Sequence, residues 1–330
     1  MRIGIIGTGR IAKKFLQEVE FVDEATVTAI YNPHEGSAER FVSEIQDSVV
    51  KDIGSAVRGL SLRALPEHFT DLDEMLAKVD GVYIASPHGT HFAYTKAALQ
   101  KGKHVLCEKP LAFTKKEAKA LFTLAKKNGL VLMEGLKTGY MPGFLHLIEV
   151  AKSGEIGEIK HVSAAFTKLV PPDSRELTDG DTAGSFVEMG THETMVVFSL
   201  LGTKYKDVRF DSIRNKKGVD TYTVANFDYG KAFGTAVAGL GVKTEGEMIV
   251  AGTNGYIIVK APWWLTKHFE VHFEDPNRII SYDEDFAGTG MRYEIQHFVK
   301  KAQGQDDGVD YENLSVEIAG VMEKFLSGRE

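Results

Sequence analysis

The sequence is poor in cysteine, in long hydrophobic runs and in positive charge, and each shortage excludes a class of protein. Cys107 is the only cysteine among 330 residues, so disulfides within the chain and a cysteine metal cluster are excluded, and a reducing cytoplasm fits. No apolar run reaches the ~18 residues of a membrane span. No basic leader follows Met1, so we expect a cytoplasmic protein without a membrane partner. The net charge of -7 argues against a nucleic-acid partner, because phosphate contacts require surplus Lys and Arg.

Short apolar segments alternate with amphipathic helices in the first part of the chain. Strands are predicted at residues 2–6, 25–31, 82–86, 104–107 and 131–134. Strands that alternate with helices indicate an α/β domain with right-handed crossovers, here a doubly wound parallel Rossmann sheet. The loops that follow its strands emerge at one carboxyl edge, where such folds bind ligands.

The pattern changes near residue 135, where strands begin to follow one another with tight turns. Strands are predicted at 159–167, 221–229, 232–240, 247–251 and 256–260, and helices at 141–153, 188–201 and 291–303. We therefore expect a dinucleotide-binding domain at 1–135 and an α+β domain at 136–330 with a largely antiparallel open sheet. Residues 46–68 receive no role.

A glycine-rich turn directly follows the first strand. Gly7-Thr8-Gly9-Arg10-Ile11-Ala12 fits the pattern G-x-G-x-x-A and opens an amphipathic helix. Gly7 permits a tight turn, Gly9 lets the backbone approach a pyrophosphate, and Ala12 allows close packing of helix on strand. The six residues are predicted to bind the cofactor, NAD or NADP.

The end of the second strand bears on the choice between the two cofactors. Asn32 occupies the position where an acidic residue binds the ribose hydroxyls of NAD, and a nearby arginine would favour NADP. Residues 33–36 contain no arginine, and Glu35 is close, so the sequence slightly favours NAD. Asn32 is equally well explained as an ordinary turn residue.

Two further loops are predicted at the same carboxyl edge. Ser86, Pro87, His88 and His91 follow one strand and are expected to line the cofactor, although a helix start alone would explain the proline. Glu108-Lys109-Pro110 follows the next strand, and a lysine beside a nicotinamide can polarise a carbonyl or stabilise an alkoxide. Glu108 and Lys109 are predicted to contact cofactor, and Lys109 also substrate.

Glu188 and His192 lie four residues apart and share a face if both are helical. A carboxylate beside an imidazole supports its charged form, as a catalytic histidine requires, whereas a structural histidine is the alternative. Trp263-Trp264 is a candidate sugar-stacking platform, but two aromatic residues in such a segment more often belong to the core or to a subunit interface.

These segments occur in the order and spacing of the glucose–fructose oxidoreductase/inositol dehydrogenase/MocA family (Gfo/Idh/MocA), which the chain resembles over nearly its whole length. The branch with dimeric dihydrodiol dehydrogenases and NADP-linked xylose dehydrogenases is the most similar. The resemblance implies a Rossmann domain, a C-terminal sheet that forms the interface of a homodimer or homotetramer, and metal-free NAD(P) chemistry on sugars and cyclitols. It implies that Lys109 and His192 are catalytic, that Glu188 replaces the usual aspartate, and that Tyr293 contacts substrate.

The resulting hypothesis is an NAD(P)-dependent dehydrogenase that transfers hydride between nicotinamide and a secondary alcohol or carbonyl of a sugar, cyclitol or related polyol. A trans-dihydrodiol dehydrogenase and a non-catalytic NAD(P)-binding regulator are the alternatives. The chain departs from the family pattern at His88, Met195 and Pro33, where the family often has Asn, Asp and, in the dihydrodiol branch, an arginine for NADP. These departures leave the substrate open.

Overall fold

The computed structural model describes residues 1–52, 65–180, 182–305 and 308–328. The helices and strands are, in chain order, β1 Arg2–Ile6, α1 Arg10–Val19, β2 Thr26–Tyr31, α2 Ser37–Asp52, β3 Glu67–Phe69, α3 Leu72–Lys78, β4 Gly81–Ile84, α4 His91–Gln100, β5 His104–Glu108, α5 Lys115–Lys127, β6 Leu132–Gly135, α6 Pro142–Lys152, β7 Ile159–Thr167, α7 Arg175–Thr178, α8 Ser185–Leu201, β8 Asp207–Arg214, β9 Asp220–Asp228, β10 Phe233–Gly239, β11 Met248–Gly252, β12 Tyr256–Val259, β13 His268–His272, β14 Ile279–Asp283, α9 Met291–Ala302 and α10 Glu312–Ser327. None of the helices in this part of the chain is long and apolar enough to cross a membrane. The segment 46–68 begins within α2 and ends within β3, and its residues 53–64 lie outside the described part.

The chain divides into two compact units. The first contains Met1–Gly135 and Gly288–Glu312, and the second contains Leu136–Ala287 and Asn313–Glu330. The first unit therefore combines an N-terminal segment that ends at Gly135 with the later segment Gly288–Glu312. The division into a dinucleotide-binding domain at 1–135 and an α+β domain at 136–330 stays a prediction.

A parallel sheet organises the first unit. In the described residues six strands lie in the order β3-β2-β1-β4-β5-β6, and each pairs with its neighbours in parallel. This confirms the predicted doubly wound sheet. The four residues of β4 are all buried, as expected for a strand covered by helices on both faces. The order reverses between β1 and β4, so the loops that follow β1, β4 and β5 meet at the ligand-binding edge.

A buried ion pair explains why α9 belongs to the first unit. The carboxylate of Glu18, on α1, accepts hydrogen bonds from Thr289 N at 3.0 Å and from Arg292 Nε at 3.0 Å. Only 6% of the Glu18 side chain is exposed. The α9 helix packs on α1, and its apolar pattern indicated a helix without indicating which unit it covers.

The second unit is built on an eight-stranded sheet, counted over the described residues. The strand order is β14-β13-β12-β11-β7-β10-β9-β8, in which β7 and β10 pair in parallel and the other neighbours are antiparallel. This confirms the largely antiparallel sheet. The α8 helix packs against β7, β9 and β10 on one face. The strands β8, β13 and β14 and the helix α10 were not predicted.

Candidate functional site

The two glycines of the first turn have different structural roles. Gly7 has φ +111°, and a Cβ built on it would lie 2.5 Å from the carbonyl oxygen of Ala85. A Cβ built on Gly9 would meet no atom within 4 Å. Gly9 caps α1 in an extended conformation, and the first turn of α1 has no acidic residue. Free backbone N–H groups beside an open space fit a pyrophosphate.

The other residues of the turn support this cradle. Ala12 is fully buried, which allows the close packing of α1 on the sheet, whereas Thr8 and Ile11 are half-buried and Arg10 is exposed. The hydroxyl of Thr8 accepts a hydrogen bond of 2.8 Å from Asn32 Nδ2, so the end of β2 is tied directly to the turn.

A cation, Arg40, lies next to the loop that follows β2, and with Asn32 and His34 it is a candidate ligand for the 2′-phosphate of NADP. The amide oxygen of Asn32 accepts a hydrogen bond from the backbone N–H of His34. Arg40 Nη2 donates to Ser37 Oγ at 3.1 Å, and its guanidinium also lies close to Gly36. Residues 33–36 themselves contain no arginine. The first turn of α2 brings Arg40 back over that loop, a return that helical spacing could have indicated.

His91 connects two of the predicted loops. Its ring is fully buried, with Nδ1 2.8 Å from the carbonyl oxygen of Pro110 and Nε2 2.9 Å from that of Ser86. Burial lowers the pKa of His91 below its ordinary value. A buried ring between two carbonyls supports the loops, and a direct contact between His91 and the cofactor stays a prediction.

The remaining residues of the Ser86 loop are more accessible. Ser86 and His88 are half-buried and Pro87 is exposed. Thr90 Oγ1 lies 2.7 Å from Ser86 Oγ and 2.7 Å from the carbonyl oxygen of Pro87, which closes the turn before α4. The Ser86 hydroxyl is therefore held at the carboxyl end of β4.

Buried polar groups surround the loop that carries Lys109. Tyr83 Oη donates to Glu108 Oε1 at 2.5 Å, and the backbone N–H of Leu111 donates to Glu134 Oε1 at 2.9 Å. Burial, followed by the charge of Glu108, raises the pKa of Tyr83 well above its usual range, so the phenol remains a hydrogen-bond donor. The Lys109 side chain itself is half-buried at the end of β5.

In the second unit His192 lies beside an aromatic pair. His192 is on α8 and 8% exposed, and its ring centroid is 5.5 Å from that of Phe166. Phe166 stacks on Trp264 with centroids 3.7 Å apart and planes within 6°. Trp263 is fully buried and donates from Nε1 to the carbonyl oxygen of Ala165. The two tryptophans thus differ, because Trp263 belongs to the core and Trp264 is half-exposed.

Glu188 lies one helical turn before His192 on α8. Its Oε1 is 3.5 Å from Nη2 of Arg175, a partner that the sequence analysis missed because α7 is too short to show periodicity. The orientation of His192 by Glu188 stays a prediction. Tyr293 lies half-buried in the first turn of α9, so it belongs to the same unit as Lys109.

Two family descriptions match the chain over most of its length. "Oxidoreductase family, NAD-binding Rossmann fold" matches residues 1–136, and "GFO/IDH/MocA C-terminal domain" matches residues 144–258. The protein belongs to the Gfo/Idh/MocA family. It is an oxidoreductase with an NAD(P)-binding Rossmann fold, which confirms the family and the class of enzyme predicted from the sequence.

Named relatives within the family act on different compounds. The scyllo-inositol 2-dehydrogenase (NADP(+)) IolU of Bacillus subtilis is 29% identical over 67% of this chain and 64% of its own length. The human trans-1,2-dihydrobenzene-1,2-diol dehydrogenase is 26% identical over 90% of this chain and 86% of its own length. The match to IolU therefore spans less than two thirds of that protein.

Solved structures share the fold. The 3-ketoreductase KijD10 of Actinomadura kijaniata, in complex with NADP and TDP-benzene, superposes with a TM-score of 0.81 at 21% identity, over 98% of this chain and 96% of its own. The UDP-N-acetylglucosamine 3-dehydrogenase GnnA of Acidithiobacillus ferrooxidans gives a TM-score of 0.78 at 20% identity, over 99% of both chains. Both share the fold of this chain over nearly its whole length.

Proposed function

We propose that the protein transfers hydride between the nicotinamide of NAD(P) and a secondary alcohol or carbonyl of a sugar, cyclitol or related polyol. The observation that carries this proposal is Lys109 at the end of β5, on the same sheet edge as the open cradle at Gly9. A fixed cation near a bound nicotinamide suits alcohol–carbonyl chemistry, since that reaction develops negative charge on oxygen. The name of IolU, a scyllo-inositol 2-dehydrogenase, supports this substrate class.

Each of the candidate site residues has a separate role in the proposed reaction. Bound NAD(P) supplies the hydride acceptor for oxidation or the hydride donor for reduction. The ammonium of Lys109 stabilises the developing alkoxide. His192 accepts the hydroxyl proton during oxidation and returns it during reduction, and Glu188 favours the charged form of the imidazole. Tyr293 is proposed to contact the substrate.

The cofactor preference is proposed to be NAD at least as much as NADP. The support is that residues 33–36, directly after Asn32, contain no arginine to select a 2′-phosphate. If NADP is used as well, Arg40 and Ser37 are the groups that would bind its 2′-phosphate. We expect Arg40→Met to lower kcat/KM with NADP by about 10-fold and to leave kcat/KM with NAD unchanged, because only NADP carries the phosphate. A wild-type enzyme that strongly prefers NADP would refute the NAD preference.

The experiment that tests the function is a screen for reduced nicotinamide by absorbance, with both cofactors and a panel of inositols, sugars and their keto forms. We expect turnover with at least one polyol. Cofactor binding measured by calorimetry, without turnover on any compound of the panel or on an aromatic dihydrodiol, would instead support a non-catalytic regulator.

A second candidate function is that of a trans-dihydrodiol dehydrogenase. The stacked pair of Phe166 and Trp264 beside His192 favours it, since an aromatic ring gains from packing on another ring. If an aromatic dihydrodiol is the substrate, Trp264→Leu raises its KM severalfold more than that of an inositol. Equal effects on both substrates would remove the support for this candidate.

We further propose that the first unit binds the cofactor and that the second binds substrate and associates into a cytoplasmic homodimer or homotetramer. One face of its sheet carries a groove of about 600 Å³ lined by residues that include His161, Asn226 and Thr235. Phe233, at the same groove, is 58% exposed. We expect light scattering to find an oligomer that Phe233→Glu dissociates, and a monomeric wild type would refute the interface.

A further inference from the structure

The loop that carries Lys109 is held on both sides by side chains from other elements of the first unit. Tyr83 of β4 binds the Glu108 carboxylate before the lysine. His91 of α4 contacts the Pro110 carbonyl oxygen, and Glu134 of β6 binds the Leu111 N–H after it. Thus each residue that flanks Lys109 has a polar partner from a different strand or helix.

All three partners are buried, with 0% exposure for Tyr83 and His91 and 3% for Glu134. Polar groups in a core cost free energy unless they form hydrogen bonds, and an apolar residue would fill the same space more cheaply. Three such groups converge on one loop at the sheet edge. This indicates that the backbone of that loop must be held in a defined position.

The flexibility of the lysine side chain explains why the loop must be fixed. Its ammonium stands on a flexible four-carbon chain, so the backbone must be fixed if the charge is to meet a small developing alkoxide. A displacement of about 1 Å can cost on the order of 10²-fold in rate. His91 adds a second constraint, because its ring packs between the lysine loop and the Ser86 loop, with Nε2 2.9 Å from the Ser86 carbonyl oxygen. The neutral ring donates its one N–H to the carbonyl oxygen of either Pro110 or Ser86 and lies in contact with the other.

We propose that Tyr83, His91 and Glu134 are positioning residues that fix the backbone on either side of Lys109. The inference rests on the proposed catalytic role of Lys109 and adds residues that act through it. It distinguishes these three from catalytic residues, because they contact the loop and not the reacting atoms.

A matched pair of substitutions at Glu134 tests the inference. Glu134→Gln keeps an oxygen that can accept the Leu111 N–H, whereas Glu134→Met removes the acceptor and keeps much of the volume. We expect Glu134→Met to lower kcat by on the order of 10-fold with KM and the NAD(P) dissociation constant within about 2-fold of wild type. Glu134→Gln should restore most of kcat.

The control variant is at the start of β5, the strand that leads into the loop of Lys109. His104 begins β5, and its Nδ1 accepts the backbone N–H of Val131 at 3.0 Å. His104→Leu removes a similar side-chain-to-backbone bond far from the ligand-binding edge of the sheet. We expect it to lower thermal stability and to leave kcat unchanged.

Hydrogen exchange supplies a measurement that needs no substrate. We expect Glu134→Met to increase exchange in the peptide that covers residues 109–114 and not in peptides of the second unit. Tyr83→Phe serves as the second variant, since the ring keeps its stack on Phe15 at 3.8 Å and loses only the hydroxyl. If both variants fold and leave kcat and loop exchange at wild-type values, the inference is wrong.

A double substitution separates this inference from the proposed function. If Glu134 acts through Lys109, adding Glu134→Met to Lys109→Met lowers kcat by less than about 2-fold further. A full additional loss would overturn the positioning role while leaving Lys109 catalytic. Wild-type turnover by Lys109→Met alone would instead refute the proposed function.

Discussion

Lys109 in the first unit and His192 in the second are positioned by opposite means. Lys109 lies in a loop whose backbone is fixed by buried side chains from β4, α4 and β6. His192 lies within the 17-residue helix α8, where backbone hydrogen bonds of the helix itself fix its position and Phe166 packs beside the ring. The position of Lys109 thus depends on residues remote in sequence, whereas that of His192 depends mainly on neighbours along the same helix.

The largest expected effects come from removing the two residues compared. His192→Ala should lower kcat by roughly 10²–10⁴-fold and remove one limb of the pH–rate profile, because it deletes the proposed proton carrier. Lys109→Met should lower kcat by on the order of 10²-fold or more with cofactor affinity nearly intact. Steady-state kinetics and calorimetry on the same preparations measure both. If both variants turn over at wild-type rates, Lys109 and His192 are structural residues and their proposed catalytic roles are wrong.

In the first unit, substitutions at the two glycines of the turn after β1 should separate cofactor binding from stability. Gly9→Val should abolish NAD(P) binding and leave the melting temperature of the cofactor-free protein unchanged, because its Cβ meets only open space. Gly7→Ala should instead destabilise the fold, since its φ is +111° and its Cβ would collide with Ala85. Calorimetry and thermal melts distinguish the two. Unchanged NAD(P) affinity in Gly9→Val would contradict the cradle.

The two units also differ in how far the sequence predicts them. The turn at Gly7, the parallel strands and Lys109 at the end of β5 follow from local patterns, because glycine conformation and strand periodicity are properties of short segments. The edge strand β8 is hard to recognise because its apolar face is short: Val208 and Phe210 alternate with charged residues, but Ser212 takes the next position. Two apolar positions give only a weak period-2 signal.

Long-range partners were the other part that the sequence did not reveal. Periodicity shows that α9 has an apolar face but not that Arg292 binds Glu18. Glu134 does indicate from the sequence that a partner exists, because it places a carboxylate within the apolar strand at 131–134 and a buried carboxylate requires a hydrogen-bond partner. Its partner, the N–H of Leu111, is a backbone group, and no residue pattern identifies it.

An intermediate effect is expected on the side of the second unit. Glu188→Gln should lower kcat by less than about 10-fold and move the limb assigned to His192 toward lower pH. Loss of a negative charge disfavours the imidazolium, and Arg175, 3.5 Å from Glu188, then adds its positive charge without compensation. Profiles of kcat against pH measure the shift. A shift toward higher pH would contradict an electrostatic role for Glu188.

The smallest expected effect concerns stability in the second unit. His268 Nδ1 lies 2.8 Å from Asp283 Oδ1, and this hydrogen bond raises the pKa of His268 above its ordinary 6.5. The contribution of this pair to the free energy of unfolding is fully present below about pH 6.5. It is lost as the pH rises through the raised pKa of His268 in the folded state. Because the pair is largely exposed, the effect is at most about 1 kcal/mol.

Melting curves of the wild type and of His268→Gln from about pH 6 to about pH 8 test this effect. The stability advantage of the wild type should shrink as the pH rises. An advantage that grows with pH would show that another group dominates.

The return of residues 288–312 to the first unit has a consequence for synthesis on the ribosome. The N-terminal 135 residues lack Thr289 and Arg292, so Glu18 cannot form its ion pair and the face of α1 that α9 covers stays exposed to solvent. The nascent cofactor-binding unit therefore remains incomplete while the whole middle of the chain is translated. The segment made first is among the last to acquire all of its native partners, and a chaperone that shields α1 during that interval would act on the face that α9 later covers.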